Sequence, residues 1–325
     1  MRQLSSLLQG LARSMAGKER KEDDPQGTVL RSSGTLRARA PRPWPPCGLA
    51  AARRAPTRTA PSSGRKKGVR LLGFLNPMWL DDTIFCGIFD GHGHGQWGHY
   101  VSKAVRDSLP PSLLRHWQEA VALASLIDGE KKLGDCQFDL WRQSYLAAAA
   151  AVDEELRRSR RLDAVNGGST ALSIVKKGDT MLTVDFKPNL PQEKARIVQC
   201  KGRVHCHDDE PGVHRVWLPD REAPGLAMSR AFGDYCVKDY GVISAPEVTQ
   251  RRITSRDQFV ILATDGVWDV VSNEEAVQIV ADTPEREKAA KRLVQCAVRA
   301  WRRKRRGYAV DDCSAICLFL HPPPS

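Results

Sequence analysis

"TIFCGIFDGHGHGQWGH", residues 83–99, holds an apolar run that stops at Asp90-Gly91 and opens into glycines and histidines. Six of the seven residues from Ile84 to Asp90 carry no charge, so the stretch reads as a buried strand with a carboxylate at its end. The pattern returns in "QFVILATDGVWD", where an apolar run from Phe259 to Thr264 stops at Asp265-Gly266. It returns again in "VDDCSAICLFL", where Asp311 and Asp312 stand at the mouth of the last apolar strand. Neither Asp-Gly pair is followed by a matching return strand, as a hairpin turn would require. Any one pair taken alone reads most simply as a chain turn, but three strand ends that each carry a carboxylate invite a common cause. Hard divalent cations such as Mg²⁺ or Mn²⁺ take oxygen ligands, and carboxylates on rigid strand ends hold them at a fixed separation. Gly91 lacks a Cβ, which lets its carbonyl approach such an ion. Two ions a few ångströms apart can share a water, lower its pKa and aim it at phosphorus.

A chain of 325 residues with 41% hydrophobic content can bury a sizeable core. The net charge of +12 suggests nucleic acid at first sight, but its placement removes the suggestion. Residues 1–80 hold 16 Lys/Arg and 4 Asp/Glu, whereas residues 81–325 hold 34 of each. The basicity therefore belongs to the N-terminal segment, and neither a nucleic acid nor a membrane is expected as partner. No apolar run approaches the ~20 residues that cross a bilayer. Nine cysteines include no CxxC pair, and Cys86, Cys313 and Cys317 lie inside apolar segments, so a reducing compartment and no disulfide framework are expected.

From Pro25 to Leu80 there is no acidic residue, while Arg, Pro, Ser and Ala dominate. Residues 1–70 are expected to be disordered for want of apolar surface to bury, and a folded domain is expected over 71–325. The opening "MRQLSSLLQGLARSM" can form an amphipathic turn or two. Its resemblance to an organelle transit peptide is interrupted by Glu19, Glu22, Asp23 and Asp24, so a cytoplasmic or nuclear location is the leading expectation. Downstream the pattern predicts helices over 98–109, "DLWRQSYLAAAAAVDEELRRSR", 273–282 and 284–302. It predicts strands about a Lys-Lys-Gly-Asp turn in "STALSIVKKGDTMLTVDF", at 259–264 and at 313–320. Strands and helices mix without regular alternation, which favours α+β.

Two other readings compete. "GHGQWG", Gly93 to Gly98, matches the dinucleotide fingerprint, but the region ~20 residues on is helical in character rather than a strand ending in an acid. His92, His94 and His99, and the cluster His205-Cys206-His207, have types that zinc favours but spacings that fit no common structural site. His94, His205 and His207 read as exposed loop histidines.

"FDGHG", "GGSTAL", "GLAMSRAFGD", "ILATDGVWDVVSNEEAV" and "DDCSAICLFL", in this order, resemble the metal-dependent protein phosphatase (protein phosphatase 2C) family. "VDFKPNLPQE" followed by "CKGRV" and "DDEPGVHRVWLP" is similar to its plant members. The resemblance covers about residues 83–320. It implies two packed, mainly antiparallel β-sheets flanked by helices, an α-β-β-α sandwich, and a serine/threonine protein phosphatase using two Mg²⁺ or Mn²⁺ ions. It implies that Asp90 bridges both ions, that Gly91 gives its carbonyl to one, and that Asp265 and Asp312 bind the second. By the same resemblance His92 protonates the leaving serine or threonine oxygen, and Asp269 matches a ligand of a third, weaker ion. Asp234 reads as structural, and Trp268 and Phe232 as core residues. The implied partner is a phosphoprotein substrate, with a kinase or regulatory protein as a further partner and a monomer as the expected state.

The chain departs from the family pattern at two places. Before "FDGHG" the family carries a strand with an acidic metal ligand, whereas this chain has "GRKKGVRLLGFLNPMWLDD", with no acid until Asp81 and Asp82. Lys66, Lys67 or Arg70 could meet phosphate there, although a solvated tail is the simpler reading. After "GGSTALSIVKKGDTM" the family continues through a strand, a Gly-Asp-Ser-Arg turn and another strand, but here Met181 runs straight into Leu182. The sheet is thus expected to lack strands, and the alternative function is a fold that binds phosphoproteins or kinases without turnover. "WRRKRRG", 301–307, reads as the basic end of a helix, with a nuclear import signal as the alternative.

Overall fold

The computed structural model describes residues 49–53, 68–74, 83–93, 96–128, 137–159, 162–178, 180–183, 188–207, 212–304 and 310–321. The expectations for residues 1–48, and those for Lys66, Lys67, Asp81, Asp82 and His94, lie outside the described residues.

The quoted stretch forms β3 (Thr83–Gly93), the middle strand of the larger sheet. On one edge it pairs antiparallel with β2 (Gly68–Phe74), placing Val69 opposite Asp90 and Phe74 opposite Phe85. On the other edge lie β4 (Gly167–Ser169) and β5 (Leu172–Lys177), both antiparallel to it. Between them the Thr170 amide donates to the Asp90 carbonyl at 2.9 Å, so the main chain at the key aspartate is held from both sides. The turn at Gly178 leads from β5 into β6 (Thr180–Thr183), as "KKGD" predicts. β10 (Phe232–Gly233) closes the other end of the sheet on β4.

The two faces of β3 serve two cores because its side chains alternate. Phe85 and Phe89 point to helices α1 (Trp97–Asp128) and α2 (Gln137–Arg158), whose Val101, Val105, Trp117, Trp141 and Tyr145 bury them. Each phenylalanine is worth roughly 2–3 kcal/mol of transfer from water. Cys86 and Ile88 point the other way, onto Leu262, Ile316 and Leu318 of a second sheet. That sheet has the order β1 (Leu49–Arg53), β13 (Ser314–Phe319), β12 (Phe259–Ala263), all antiparallel. Its outer face, with Ala315, Cys317 and Phe319, is covered by α6 (Asn273–Ala281) and α7 (Arg286–Lys304). The layers run helices, sheet, sheet, helices, as the α-β-β-α expectation requires. A small third sheet, β7 (Arg203–Cys206), β8 (His214–Trp217) and β9 (Pro224–Leu226), packs with α3 (Pro191–Gln199) around Ile197 and Val216. No described helix is long and apolar enough to cross a membrane.

Four expectations change. First, strands occur inside the segment expected to stay disordered: β1 pairs with β13, and β2 begins at Gly68, so paired backbone starts before residue 71. Composition misleads there because an edge strand gains its stability from main-chain pairing to a buried neighbour rather than from its own apolar content. Second, the strand expected to be absent ahead of β3 is present as β2; what it lacks is the acid, for residues 65–74 hold none. Third, the shortened connection after Met181 leaves no bare edge, because β11 (Thr249–Arg252) pairs with β6 over its whole length. Fourth, α1 runs on through Pro110 and Pro111 to Asp128 instead of stopping at 109. The prolines forfeit local hydrogen bonds, but Leu113, Leu114 and Trp117 beyond them stay buried against α2, with Trp117 stacked on Trp141 at 4.9 Å. The dinucleotide reading of Gly93–Gly98 also fails, since β3 is antiparallel to every strand it pairs with and opens no parallel crossover.

A buried charge network ties α3 to the segment ahead of β10. Glu193 is 1% exposed and accepts from both guanidinium nitrogens of Arg196 at 2.6 Å, from Ser229 at 2.5 Å and from Arg230 at 2.7 Å. Burial alone would raise its pKa, but the bonds from Arg196, Arg230 and Ser229 outweigh burial and hold it at about 2. A carboxylate depressed in the fold stabilises it above the unfolded pKa and loses that contribution as pH falls. Between about pH 4.5 and pH 2 the chain is therefore expected to lose roughly 3 kcal/mol through this residue alone. Urea midpoints across that window, compared with those of Glu193→Gln, check it: a variant with the same acid sensitivity as the parent refutes the assignment.

Candidate active site

Asp265 and Asp312 are brought together by the pairing of β12 with β13. Ala263 stands opposite Ala315, and just beyond the pair the Thr264 hydroxyl donates to the Asp312 carbonyl at 2.9 Å and accepts from the Ser314 amide at 3.1 Å. Asp265 opens the short helix α5 (Asp265–Trp268), whose Gly266 lies against the Asp312 carbonyl. The Gly266 carbonyl accepts from the Trp301 indole at 2.6 Å and from the Cys313 thiol at 3.1 Å, which fixes the turn from the outer helix layer. Asp269 is the C-cap of α5 and is exposed, one helical turn beyond Asp265, whose carbonyl accepts from its amide at 2.9 Å.

Asp90 belongs to the facing sheet. It shares with Cys86 and Ile88 the face of β3 that looks across the inner core at β12 and β13. One oxygen of each of Asp90, Asp265 and Asp312 is buried from solvent. Carboxylate oxygens taken out of water are stable only beside compensating charge or donors, and three such hard donors fit a divalent cation in type. Among the described residues, however, no group of three His, Cys, Asp or Glu side chains is gathered closely enough to hold a metal ion. The geometry thus assembles the Asp265–Asp312 pair and sets Asp90 on the opposite wall. Gly91 also has a packing role. A Cβ there would come within 2.0 Å of the Gly98 carbonyl, so the bare backbone lets the start of α1 seat on β3.

His92 is next on the same face of β3 as Asp90. Its Nε2 lies 2.6 Å from Asp234 Oδ2, with side-chain exposures of 12% and 5%. A carboxylate has no proton to give in this pair, so the imidazole donates. Asp234, expected to be merely structural, is therefore the partner that orients the candidate proton donor. Its backbone is left-handed, φ 52°, in the turn between β10 and α4 (Tyr235–Lys238), a conformation aspartate tolerates better than most residues. Gly168 makes room for the pair: a Cβ at that position would lie 2.0 Å from Asp234 Oδ2 and 2.6 Å from His92 Nε2. The sequence signal for this contact was the glycine pair of "GGSTAL", which no local turn demands.

The remaining candidates separate from this site. His205 is a strand residue rather than a loop residue, whereas His207 is in the loop as expected. His205 lies on β7 and is stacked on Trp217 at 5.3 Å, with Glu222 at 3.5 Å, and His207 follows the strand with Glu222 at 4.0 Å. Phe232 is buried in the α1–α2 core, and Trp268 packs on the outer core with its indole donating to the Ala263 carbonyl at 3.0 Å, as expected of core residues. Cys86 is fully buried, and burial pushes its thiol up to about 12, which suits a small apolar core residue.

Comparison with known proteins agrees with this architecture. Residues 75–304 match the family model "Protein phosphatase 2C". "Probable protein phosphatase 2C 48" of Oryza sativa subsp. japonica is 62% identical over 365 aligned positions that span all of both chains. At least 40 of those positions have no residue in this 325-residue chain, in keeping with a shortened member. "Probable protein phosphatase 2C 73" of Arabidopsis thaliana is 56% identical over 74% of this chain and 72% of its own length. Among solved structures, the serine-threonine phosphatase 2C from Toxoplasma gondii superposes with a TM-score of 0.65 over 85% of this chain and 99% of its own, at 24% identity. That likeness bears on the fold. The layered sandwich, the family match and the full-length plant relative together establish that the chain belongs to the protein phosphatase 2C family of protein serine/threonine phosphatases.

Proposed function

We propose that this chain hydrolyses phosphoserine and phosphothreonine in proteins, with two Mg²⁺ or Mn²⁺ ions lying between Asp90 on one wall and the Asp265–Asp312 pair on the other, so that no single ion needs all three side chains gathered around it, and with His92 as proton donor. The observation that carries the reading is the His92–Asp234 contact of 2.6 Å on the face of β3 that also bears Asp90. When bound, a divalent cation supplies positive charge to the phosphate and acidifies water. The chain's own residues do the rest. Asp265 and Asp312 arrive on strand ends locked by Thr264 and Gly266, so their carboxylates cannot drift as charge develops on the substrate. Asp234 accepts from Nε2 of His92, and the ring protonated at both nitrogens keeps a second proton on Nδ1, which it gives to the departing serine or threonine oxygen. An alkoxide is a poor leaving group, and protonation at that atom lowers the barrier by an amount typical of general acids, about 10²–10⁴-fold.

A second reading, binding of phosphoproteins without turnover, draws on the lack of any acid in residues 65–74 beside Asp90. The names of the relatives lend it no support. Incubating the full chain with a phosphothreonine peptide and Mn²⁺, with and without a chelator, separates the two. Chelator-sensitive phosphate release is expected; a folded chain that releases none at millimolar Mn²⁺ would overturn the catalytic reading.

A further inference from the structure

The charge of the folded region is strongly segregated. Residues 81–325 balance 34 basic against 34 acidic residues, yet Arg286–Lys304, the nineteen residues of α7, contain eight Lys/Arg and a single Glu. That helix alone carries +7, and the rest of residues 81–325 carries −7. At 100° per residue, Lys288, Lys291, Arg292, Gln295, Arg299, Arg302 and Arg303 fall within an arc of about 120°, all of them exposed. Ala289, Leu293, Ala297 and Trp301 occupy the opposite arc and are buried in the outer core.

Two of these cations are engaged: Lys288 meets Glu285 at 2.6 Å, and Arg292 donates to the Asp282 carbonyl at 2.7 Å. Among the described residues, Lys291, Arg299, Arg302 and Arg303 form no ion pair. The helix dipole favours cations in the last turn, but it does not account for Lys291 and Arg299 higher up, and of the four only Lys291 has an acid, Glu287, at i−4, whereas a solvated face usually interleaves such partners throughout. A nuclear import segment is read in extended form, whereas Trp301–Lys304 are the last turn of α7, and Trp301 is buried with its indole on the Gly266 carbonyl. The same bond places the C-terminal end of α7 beside the turn that bears Asp265. Arg302 and Arg303 stand on the exposed side of that helix end, across the helix from Trp301, so a bound segment would cross the end of α7 to reach the candidate active site.

We infer that this stripe docks an acidic segment of the phosphoprotein substrate, adjacent in the chain to the phosphorylated residue. The reading rests on the phosphatase function proposed above. Lys291 to Arg303 spans about 18 Å along the helix axis, which five or six extended residues at about 3.3 Å each would cover. Asp or Glu at alternate positions of such a segment would face the arginines in turn. Arginine forks suit carboxylates and phosphates alike, so a second phosphorylated residue in the segment docks by the same chemistry.

The test uses two phosphothreonine peptides with the same core, one extended by an acidic segment and one by a neutral segment of equal length. With the full chain and Mn²⁺ at low salt, kcat/KM for the acidic peptide is expected to exceed that for the neutral one by about tenfold, through KM, and the ratio is expected to fall toward one near 0.5 M salt. In the variant combining Lys291→Gln, Arg299→Gln, Arg302→Gln and Arg303→Gln the ratio falls toward one at low salt. A wild-type ratio near one, or a variant that keeps the preference, overturns the inference. So does a variant that loses binding to anionic vesicles or single-stranded DNA while the peptide ratio stands. Fluorescence anisotropy of the labelled acidic peptide, read without metal on wild type and variant, decides the docking even if no peptide is hydrolysed. A failure of catalysis is thus told apart from a failure of the stripe.

Discussion

Asp90→Asn is expected to lower kcat/KM for a phosphothreonine peptide by at least about a thousandfold, near 4 kcal/mol of transition-state stabilisation. The substitution keeps the size and planarity of the side chain and removes one negative charge. It leaves the main chain of β3 untouched, paired with β2 and anchored by the Thr170 amide on the Asp90 carbonyl. Folding should therefore survive, and circular dichroism with a thermal melt near that of the parent serves as the control. Metal binding supplies a second readout: Mn²⁺ titration followed by electron paramagnetic resonance should show weaker binding in the variant. A variant within tenfold of the parent in turnover would mean that this carboxylate does not belong to the reacting centre.

Gly168→Ala should cost about a hundredfold in kcat or more, although glycine to alanine in a strand is ordinarily neutral or favourable. The added methyl would fall 2.0 Å from Asp234 Oδ2 and 2.6 Å from His92 Nε2, so either β4 shifts or the pair separates. Either outcome takes His92 out of the orientation needed to protonate a leaving oxygen, a contribution of about 10²–10⁴ in general acid catalysis. Asp234→Asn is the companion measurement, since asparagine tolerates the left-handed backbone at 234 and adds no bulk. Both variants should be more impaired on a phosphoserine peptide than on p-nitrophenyl phosphate, whose leaving group departs without a proton. Equal impairment on the two substrates would show that the pair serves stability alone.

The strand-then-carboxylate pattern was legible because a strand covered on both faces must be apolar on both, so that a charge at its end stands out. β3, β12 and β13 could all be found in this way, and so could the Lys-Lys-Gly-Asp turn and the alanine-rich α2. The capping box of α6, in which Ser272 accepts from the Glu275 amide and the Glu275 side chain returns to the Ser272 amide, also stands in the letters "SNEE". β1 and β2 escaped notice because main-chain pairing leaves no imprint on composition. The length of α1 escaped because a proline pair ordinarily ends a helix, and only the seat of Trp117 against Trp141 reveals why this one continues.

The sequence by itself determined the α+β class and the three carboxylates at strand ends, since the first follows from helical and strand patterns that mix without regular alternation and the second from apolar runs that stop at an acid, while the layered sandwich was implied by the family resemblance. Only the tertiary structure decided that Asp234 serves His92 from 142 positions away, and that Gly168 is the space between them. It also decided that the basic end of α7 is fastened to the Asp265 turn through Trp301 and Gly266. Such contacts join residues remote in the chain through the packing of whole sheets and helices, and no period or spacing within a segment encodes them.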